Sequence, residues 1–170
     1  HDPQALAIVI TTSAPLVEGI TAALAEQLPK LPRVEIARTS LAERGLILLA
    51  EDLEQAIELA NEIAIEHLEL QIVEPWQWLP KIRHAGAIFL GPWTPEAAGD
   101  YVAGPNHVLP TMGTARISSA LGVETFLKKS SIISYSKAAL ENDGEHIQRL
   151  AALEGLTAHG NSVAIRLGGK

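Results

Sequence analysis

The sequence predicts an α/β fold, in which a parallel sheet carries helices on both faces and a mainly helical C-terminal tail follows. Over residues 5–91, short runs rich in Ile, Val and Leu alternate with segments whose apolar residues recur every three or four positions. The first pattern is typical of buried strands and the second of amphipathic helices. Alternation of the two favours crossover helices and parallel strands. We expect a sheet of Rossmann-like or flavodoxin-like type, but an incomplete one.

The individual elements of this region follow from hydrophobic spacing and from the residues that start and stop helices. Asp52 is the predicted N-cap of the third helix, and Thr12 or Ser13 is that of the first. Pro29 and Gly45 end the first and second helices. The predicted strands are 6–12, 45–50, 68–73 and 85–90, and the predicted helices are 16–28, 34–44, 52–65 and 75–84.

The remainder of the chain has a different pattern. Helices are predicted at 124–129 and 136–153, a strand-like segment at 131–135 and a last helical turn at 162–167. This tail has few large apolar side chains for each helix, so we expect it to pack on the main domain or on a second subunit. The predicted domains are therefore an α/β domain, 1–119, which carries the catalytic and metal-binding residues, and a helical dimerisation tail, 120–170.

Composition excludes several classes of function. The chain has 13 Lys and Arg against 20 Asp and Glu, which argues against binding to nucleic acid or to an acidic membrane. It has no Cys, so any metal ligands must be His, Asp, Glu or amide oxygen. Neither a membrane span nor a leader peptide is evident, and a cytoplasmic protein is expected. Because the chain begins at His1 and not at Met, we expect that residues before it are missing.

The segment 91–111 is the part of the sequence that says most about function. It contains four Pro and three Gly, together with Asp100 and His107, and it is predicted to be too irregular for a helix or a strand. Gly99 and Gly104 are expected to let the backbone turn sharply. A long loop of this composition inside a compact domain predicts a binding site.

This segment resembles the signature of the histidinol dehydrogenase family. The likeness extends to Glu66-His67 upstream and to Leu-Thr-Ala-His-Gly-Asn at 156–161 downstream, and it spans essentially the whole chain as the C-terminal part of that enzyme. It implies an NAD-dependent, zinc-containing enzyme that oxidises L-histidinol to L-histidinal and then to L-histidine. The resemblance also implies that NAD binds mainly to a preceding half. No Gly-rich dinucleotide fingerprint follows a predicted strand in this chain. This chain alone is expected to be inactive.

The resemblance implies that Glu66 and His67 are the catalytic pair. From the residues alone, His67 is also interpretable as a surface side chain near a helix C-terminus. In the catalytic interpretation His67 accepts the hydroxyl proton, because imidazole titrates near neutral pH, and Glu66 activates the water needed for the second oxidation.

The resemblance also supplies metal and substrate ligands. Asp100, His159 and His1 are the implied zinc ligands, and the substrate is implied to contact His67, Asp100, Glu154 and His159. Taken singly, these residues have plainer interpretations: Asp100 as a turn residue, His159 as an exposed side chain and His1 as a tag or frayed end. His107 either contacts substrate or has a structural role.

The position of Glu154 and His159 in the tail predicts an intertwined homodimer. Both lie more than fifty residues beyond Asp100, so the tail must fold back or complete the pocket of a partner. Gly155 is expected to redirect the chain between them, since five residues do not place two side chains on one helix face. The alternative function is a non-catalytic α/β fragment that folds and dimerises without binding NAD or metal.

Overall fold

A computed structural model describes residues 2–168 of the chain. The chain divides into two compact units, His1–Phe126 and Leu127–Lys170. The predicted boundary after residue 119, and the roles assigned to the two segments, stay predictions. Within residues 2–168, no helix combines the length and the apolar character needed to cross a membrane.

The first unit contains parallel strands, as the sequence predicts. Strand β1 (Ile8–Thr11) pairs with β2 (Leu46–Leu49), and β3 (His67–Leu70) pairs with β4 (Ala87–Leu90). The register places His67 opposite Ala87. Hydrogen bonds join the strands as two two-stranded sheets and not as one continuous sheet. The fold class is confirmed as α/β with parallel strands. The structure has two two-stranded sheets where the sequence predicts a single parallel sheet.

The helices of the first unit connect these strands. They are α1 (Ala14–Gln27), α2 (Val34–Arg44), α3 (Leu53–Ile63), α4 (Pro75–Trp78) and α5 (Glu96–Tyr101), with short 3₁₀ turns at Leu28–Lys30, Leu79–Lys81, Thr114–Arg116 and Val123–Phe126. The predicted cap of α3 is confirmed, since the Asp52 carboxylate accepts a hydrogen bond of 2.8 Å from the backbone N–H of Gln55. Ser13 occupies the N-cap position of α1, but its side chain makes no capping bond.

Two predicted helices are shorter in the structure. The helix predicted at 75–84 ends at Trp78 and continues only as the 3₁₀ turn, because Pro80 has no N–H to donate along an α-helix. The helix predicted at 124–129 is reduced to the turn Val123–Phe126. The strand-like segment at 131–135 forms no strand in the structure. Its β-branched residues favour extended backbone, but a strand also needs a neighbour with which to pair.

Part of the core of the first unit lies along α3, and this helix ends shortly before β3 begins. Ile57 and Ala60 are buried on α3, and Ala64 ends this helix in the left-handed conformation with φ 53°. This sharp turn allows β3 to begin three residues later, at His67. The sequence prediction that Glu66-His67 lies between a helix and a strand is confirmed.

The buried side-chain amide of Asn61 binds the backbone of the segment that precedes β4. Asn61 is 2% exposed. Its Oδ1 accepts from the backbone N–H of Arg83 at 2.6 Å and of His84 at 3.2 Å, and its Nδ2 donates to the carbonyl of Lys81 at 2.9 Å. These bonds satisfy backbone groups that have no strand partner, and they hold the segment before β4 against α3.

The second unit is a pair of packed helices, α6 (Lys137–Leu153) and α7 (Thr157–Arg166). Ser136 caps α6 by accepting from the N–H of Ala139 at 3.1 Å. Gly155 has φ 72°, which confirms that the chain is redirected at this residue. The last helical turn predicted at 162–167 is wrong in extent: α7 begins at Thr157, so His159 is helical.

Candidate active site at the edge of β3 and α5

Three ionisable side chains meet where β3 begins and α5 passes. His67, Glu96 and Asp100 each offer a nitrogen or oxygen atom, and these atoms all lie within 4.8 Å of one another. His67 is the first residue of β3, whereas Glu96 and Asp100 lie four positions apart on α5 and so share one face of that helix. His67 and Asp100 are two of the residues predicted from the sequence.

The helix α5 is a correction to the sequence prediction, which expected no regular structure in 91–111. Its residues Glu96–Tyr101 form six positions of α-helix after Pro95, which occupies the N-cap position. A proline just before a helix and an acidic residue in its first turn are recognisable start signals, but the surrounding Pro and Gly residues obscured them. Asp100 is therefore presented by a helix and not by a loop.

Glu69 ties the start of α5 to β3. Residues 67 and 69 are two positions apart in the strand, so their side chains project from the same face. The Glu69 Oε1 atom accepts a hydrogen bond of 2.9 Å from the backbone N–H of Glu96. The helix that carries Glu96 and Asp100 is therefore attached to the strand that carries His67.

Gly99 brings α5 close to β4, and the expectation that it makes a sharp turn is wrong. A Cβ atom at this position would lie 2.7 Å from Cε1 of Phe89 and 2.9 Å from its Cζ. The Phe89 ring is buried and packs against the His67 ring, with 5.9 Å between the ring centroids. Glycine is needed here for close approach. Gly104, with φ 95°, does adopt the turn conformation that was expected.

The His67 imidazole has a polar atom without a partner. Its Nε2 atom is buried and makes no hydrogen bond among the described residues. The Oε1 atom of Glu96 lies 3.6 Å away, which is longer than a hydrogen bond. A buried polar atom without a partner is costly, so this nitrogen is suited to a donor, proton or metal that joins the site.

The three carboxylates of this edge affect one another electrostatically. Partial burial raises the pKa of Glu96 above its usual value, and so do its hydrogen bond with Asp100 and the negative charges of Asp100 and Glu69. The neighbouring His67 acts in the opposite direction. A cation at this edge, such as a protonated imidazole or a metal ion, would offset the repulsion among these groups.

The other predicted site residues are placed elsewhere or are not described. Glu66 is half-buried directly before β3, and its backbone carbonyl accepts from the N–H of Ala87 at 2.8 Å. Glu154 is the exposed C-cap residue of α6, and His159 is exposed on α7, both in the second unit. His1 lies outside the described residues. The expectation that Glu154, His159 and His1 share a site with Asp100 stays a prediction.

Glu96 is the site residue that sequence reasoning missed. The signal available in the sequence was its spacing of four residues from Asp100, which places two carboxylates on one helix face if the segment is helical. The sequence predicts irregular backbone at 91–111, and in irregular backbone a spacing of four residues does not indicate that two side chains are close. The proximity to His67 could not be found from sequence, since it depends on how α5 packs against β3.

Comparison with known proteins agrees with this architecture. The histidinol dehydrogenase family model matches residues 1–167. This chain belongs to the histidinol dehydrogenase family. The crystal structure of histidinol dehydrogenase from Elizabethkingia anophelis superposes with a TM-score of 0.85 at 34% sequence identity, over 99% of this chain and 39% of that one.

Curated members of the histidinol dehydrogenase family are similar over nearly the whole chain. The protein from Desulfotalea psychrophila is 69% identical over 167 residues, and the one from Halalkalibacterium halodurans is 56% identical over 167 residues. Each alignment covers 98% of this chain, but only 38% and 39% of the respective relative. The chain thus spans less than two fifths of the length of these relatives.

Proposed function

We propose that this chain carries the catalytic residues of an NAD-dependent, zinc-containing histidinol dehydrogenase, which converts L-histidinol to L-histidinal and then to L-histidine. The observation that carries the proposal is the half-buried His67 imidazole, which lies in one cluster with Glu96 and Asp100 of α5, with ligand atoms all within 4.8 Å of one another. An imidazole is suited to act as the general base for an alcohol, because its neutral form keeps one nitrogen lone pair that can accept the hydroxyl proton. Membership of the histidinol dehydrogenase family supplies the substrate class.

In the first oxidation, His67 accepts the hydroxyl proton of L-histidinol while the carbinol carbon transfers a hydride to NAD. The alcohol thereby becomes an aldehyde, and NAD, when bound, would supply the acceptor for the hydride. In the second oxidation, water adds to the aldehyde, and Glu66 accepts the proton of that water. His67 again takes the hydroxyl proton of the hydrate as a second hydride leaves to a second NAD, which yields the carboxylate. Imidazole suits this repeated role because its pKa lies near neutral pH.

The donors at this edge fit zinc. They are imidazole nitrogen and carboxylate oxygen, and the chain contains no thiol that would compete. Asp100 would hold the metal in the first unit, with His159 and His1 as the further ligands that the family resemblance implies. When bound, zinc supplies a positive charge that orients the imidazole-bearing substrate and stabilises its alkoxide.

The roles of general base and metal ligand exclude each other at His67. His67 belongs to the cluster that could hold a metal, yet a nitrogen that coordinates zinc has no lone pair left to accept a proton. Measuring zinc content and turnover in the same variant separates the two roles. A general base can be removed without loss of zinc, whereas a ligand cannot.

The test uses the full-length protein, meaning this chain together with the rest of the length that its relatives have. Histidinol-dependent reduction of NAD is measured for the wild type and for His67→Asn, with zinc determined in both. We expect His67→Asn to keep its zinc and to lose about a hundredfold to ten-thousandfold in turnover, the usual contribution of a positioned acid–base group. Turnover near that of the wild type would show that His67 is not the base. Absence of NAD reduction in the zinc-loaded wild type would overturn the proposal as a whole.

We further propose that the functional form is a homodimer in which the second unit completes the site of a partner subunit. Unit 127–170 exposes large apolar side chains on its surface: Ile132 at 95%, Ile133 at 80%, Leu153 at 77% and Ile165 at 69%. Exposed apolar groups concentrated in so small a unit favour burial against another polypeptide surface. In this homodimer, the exposed Glu154 and His159 would contribute to the active site of the partner subunit.

A further inference from the structure

Glu96 is the carboxylate placed to act on His67. Among residues 2–168, it is the group that lies within ion-pair distance of the His67 ring, at 3.6 Å from Nε2. Both side chains are partly shielded from water, with the His67 side chain 29% exposed and that of Glu96 39% exposed. Shielding strengthens an interaction between such groups, because the local dielectric is lower than in water.

The position of Glu96 is determined by the backbone and not by its own side chain alone. Its N–H is bound to the Glu69 carboxylate, and Glu69 projects from the same face of β3 as His67. Gly99 allows α5 to lie directly on Phe89, whose ring also contacts His67. The strand, the helix and the aromatic ring therefore hold Glu96 and His67 beside each other.

The two carboxylates of α5 can have separate tasks. Asp100 is the residue that the proposed function assigns to zinc, and it is exposed. Glu96 lies one helical turn earlier, and its Oε1 atom is 3.6 Å from Nε2 of the imidazole, while its carboxyl group also has a hydrogen bond with Asp100. A hydrogen bond between the two groups requires this separation to shorten from 3.6 Å to about 3.2 Å or less. An imidazole whose Nε2–H donates to a carboxylate has its tautomer and ring plane fixed, and its other nitrogen is then left to accept a proton.

We propose that Glu96 is a positioning residue for His67: its carboxylate accepts a hydrogen bond from Nε2–H and orients the imidazole that takes the substrate proton at its other nitrogen. The inference rests on the proposed function, in which His67 is the base. It assigns to Glu96 a role that differs from that of Glu66, which acts on water. No bond to the metal is part of this role.

The experiment compares Glu96→Ala and Glu96→Gln in the full-length protein. Glu96→Ala removes the acceptor, so we expect kcat to fall by about tenfold to a hundredfold, with the KM for histidinol changed less than about threefold and the zinc content unchanged. Glu96→Gln keeps an acceptor oxygen and should recover most of that loss. Glu58→Ala is the matched control, because Glu58 is an exposed carboxylate on α3, and we expect wild-type kcat.

A second measurement is independent of turnover. Nitrogen NMR of histidine-labelled protein, with the His67 signal assigned by its loss in His67→Asn, reports which ring nitrogen carries the proton. We expect the Nε2–H tautomer in the wild type and in Glu96→Gln, and a mixture of tautomers in Glu96→Ala. This signature would not move if Glu96 only stabilised the fold.

The outcomes separate this inference from the proposed function. If His67→Asn is inactive while Glu96→Ala keeps wild-type kcat and tautomer, Glu96 does not position His67, although the proposed function stands. Loss of zinc in Glu96→Ala would identify Glu96 as a metal ligand and overturn the inference. If the wild type does not oxidise histidinol, the proposed function fails, and the tautomer of His67 still decides whether Glu96 holds the ring.

Discussion

The edge formed by β3 and α5 differs from the helical pair α6 and α7 in how each holds its predicted site residues. In the first unit, His67 lies on a strand, Glu96 and Asp100 lie on a helix tied to that strand by Glu69, and a buried aromatic ring packs beneath them. In the second unit, Glu154 and His159 are exposed at the surface. The comparison teaches that the structure brings the site residues of the first unit together, whereas it leaves Glu154 and His159 exposed.

The largest effect is expected from Asp100, the proposed metal ligand of the first unit. Asp100→Ala should abolish stoichiometric zinc binding in the full-length protein, because a carboxylate ligand is lost from a site that has few others. The fold should persist, since β1 to β4 do not depend on Asp100. Zinc analysis and circular dichroism check both statements. A variant that retains one zinc per subunit would assign the metal to other residues.

The proposed dependence of one unit on another subunit is tested by mixing. His67→Asn and His159→Ala proteins should each be inactive, but the mixed dimer contains one pocket without either lesion. Equal mixing should restore about a quarter of wild-type activity, since half of the dimers are mixed and half of their pockets are intact. Mass spectrometry must confirm exchange. Exchange without recovery would mean that each second unit serves its own subunit.

The close packing at Gly99 allows a test of how the first unit holds Glu96 and Asp100 in place. Gly99→Ala places a methyl group 2.7 Å from Phe89 Cε1, so α5 or the ring must move. We expect a loss of about 1–3 kcal/mol in the free energy of unfolding and a fall in turnover, as overpacking shifts Glu96 and Asp100. Urea unfolding and kinetics provide the measurements. Gly19→Ala in α1 is the control, because nothing lies within 4 Å of its added Cβ, and it should stabilise by about 0.5–1 kcal/mol.

The buried side-chain amide of Asn61 should contribute about as much to the free energy of unfolding as is lost in Gly99→Ala. Asn61→Ala leaves the N–H groups of Arg83 and His84 and the carbonyl of Lys81 without their partner. The expected cost is about 1–3 kcal/mol in the free energy of unfolding, the range for buried polar groups left unpaired. Chemical denaturation tests this value. A loss below about 0.5 kcal/mol would show that water replaces the amide.

The smallest expected effects are those of the two helix caps, one in each unit. Asp52→Ala and Ser136→Ala each remove one side-chain acceptor from a helix N-terminus, at α3 and α6. We expect each to lower the free energy of unfolding by about 1 kcal/mol. A much larger loss at Asp52 than at Ser136 would indicate that the first unit alone governs the unfolding transition.

The sequence by itself determined the features that depend on near neighbours along the chain. The cap at Asp52, the parallel strand segments and the break at Gly155 follow from local patterns of apolar and turn residues. The family could also be identified from the sequence, because each of the motifs at 66–67, 91–111 and 156–161 is a continuous run of residues. Such features need only short-range information.

Only the tertiary structure decided which distant residues meet. The β-branched segment 131–135 has the composition of a strand and forms none, and Pro80 shortens a helix whose apolar spacing continues beyond it. Gly99 was interpreted as a turn and instead admits a phenyl ring against its helix. Glu96 approaches His67 because α5 packs on β3 and β4, an arrangement set by hydrogen bonds and side-chain volumes across the fold. Local sequence patterns do not report such packing, because it depends on residues far apart in the chain.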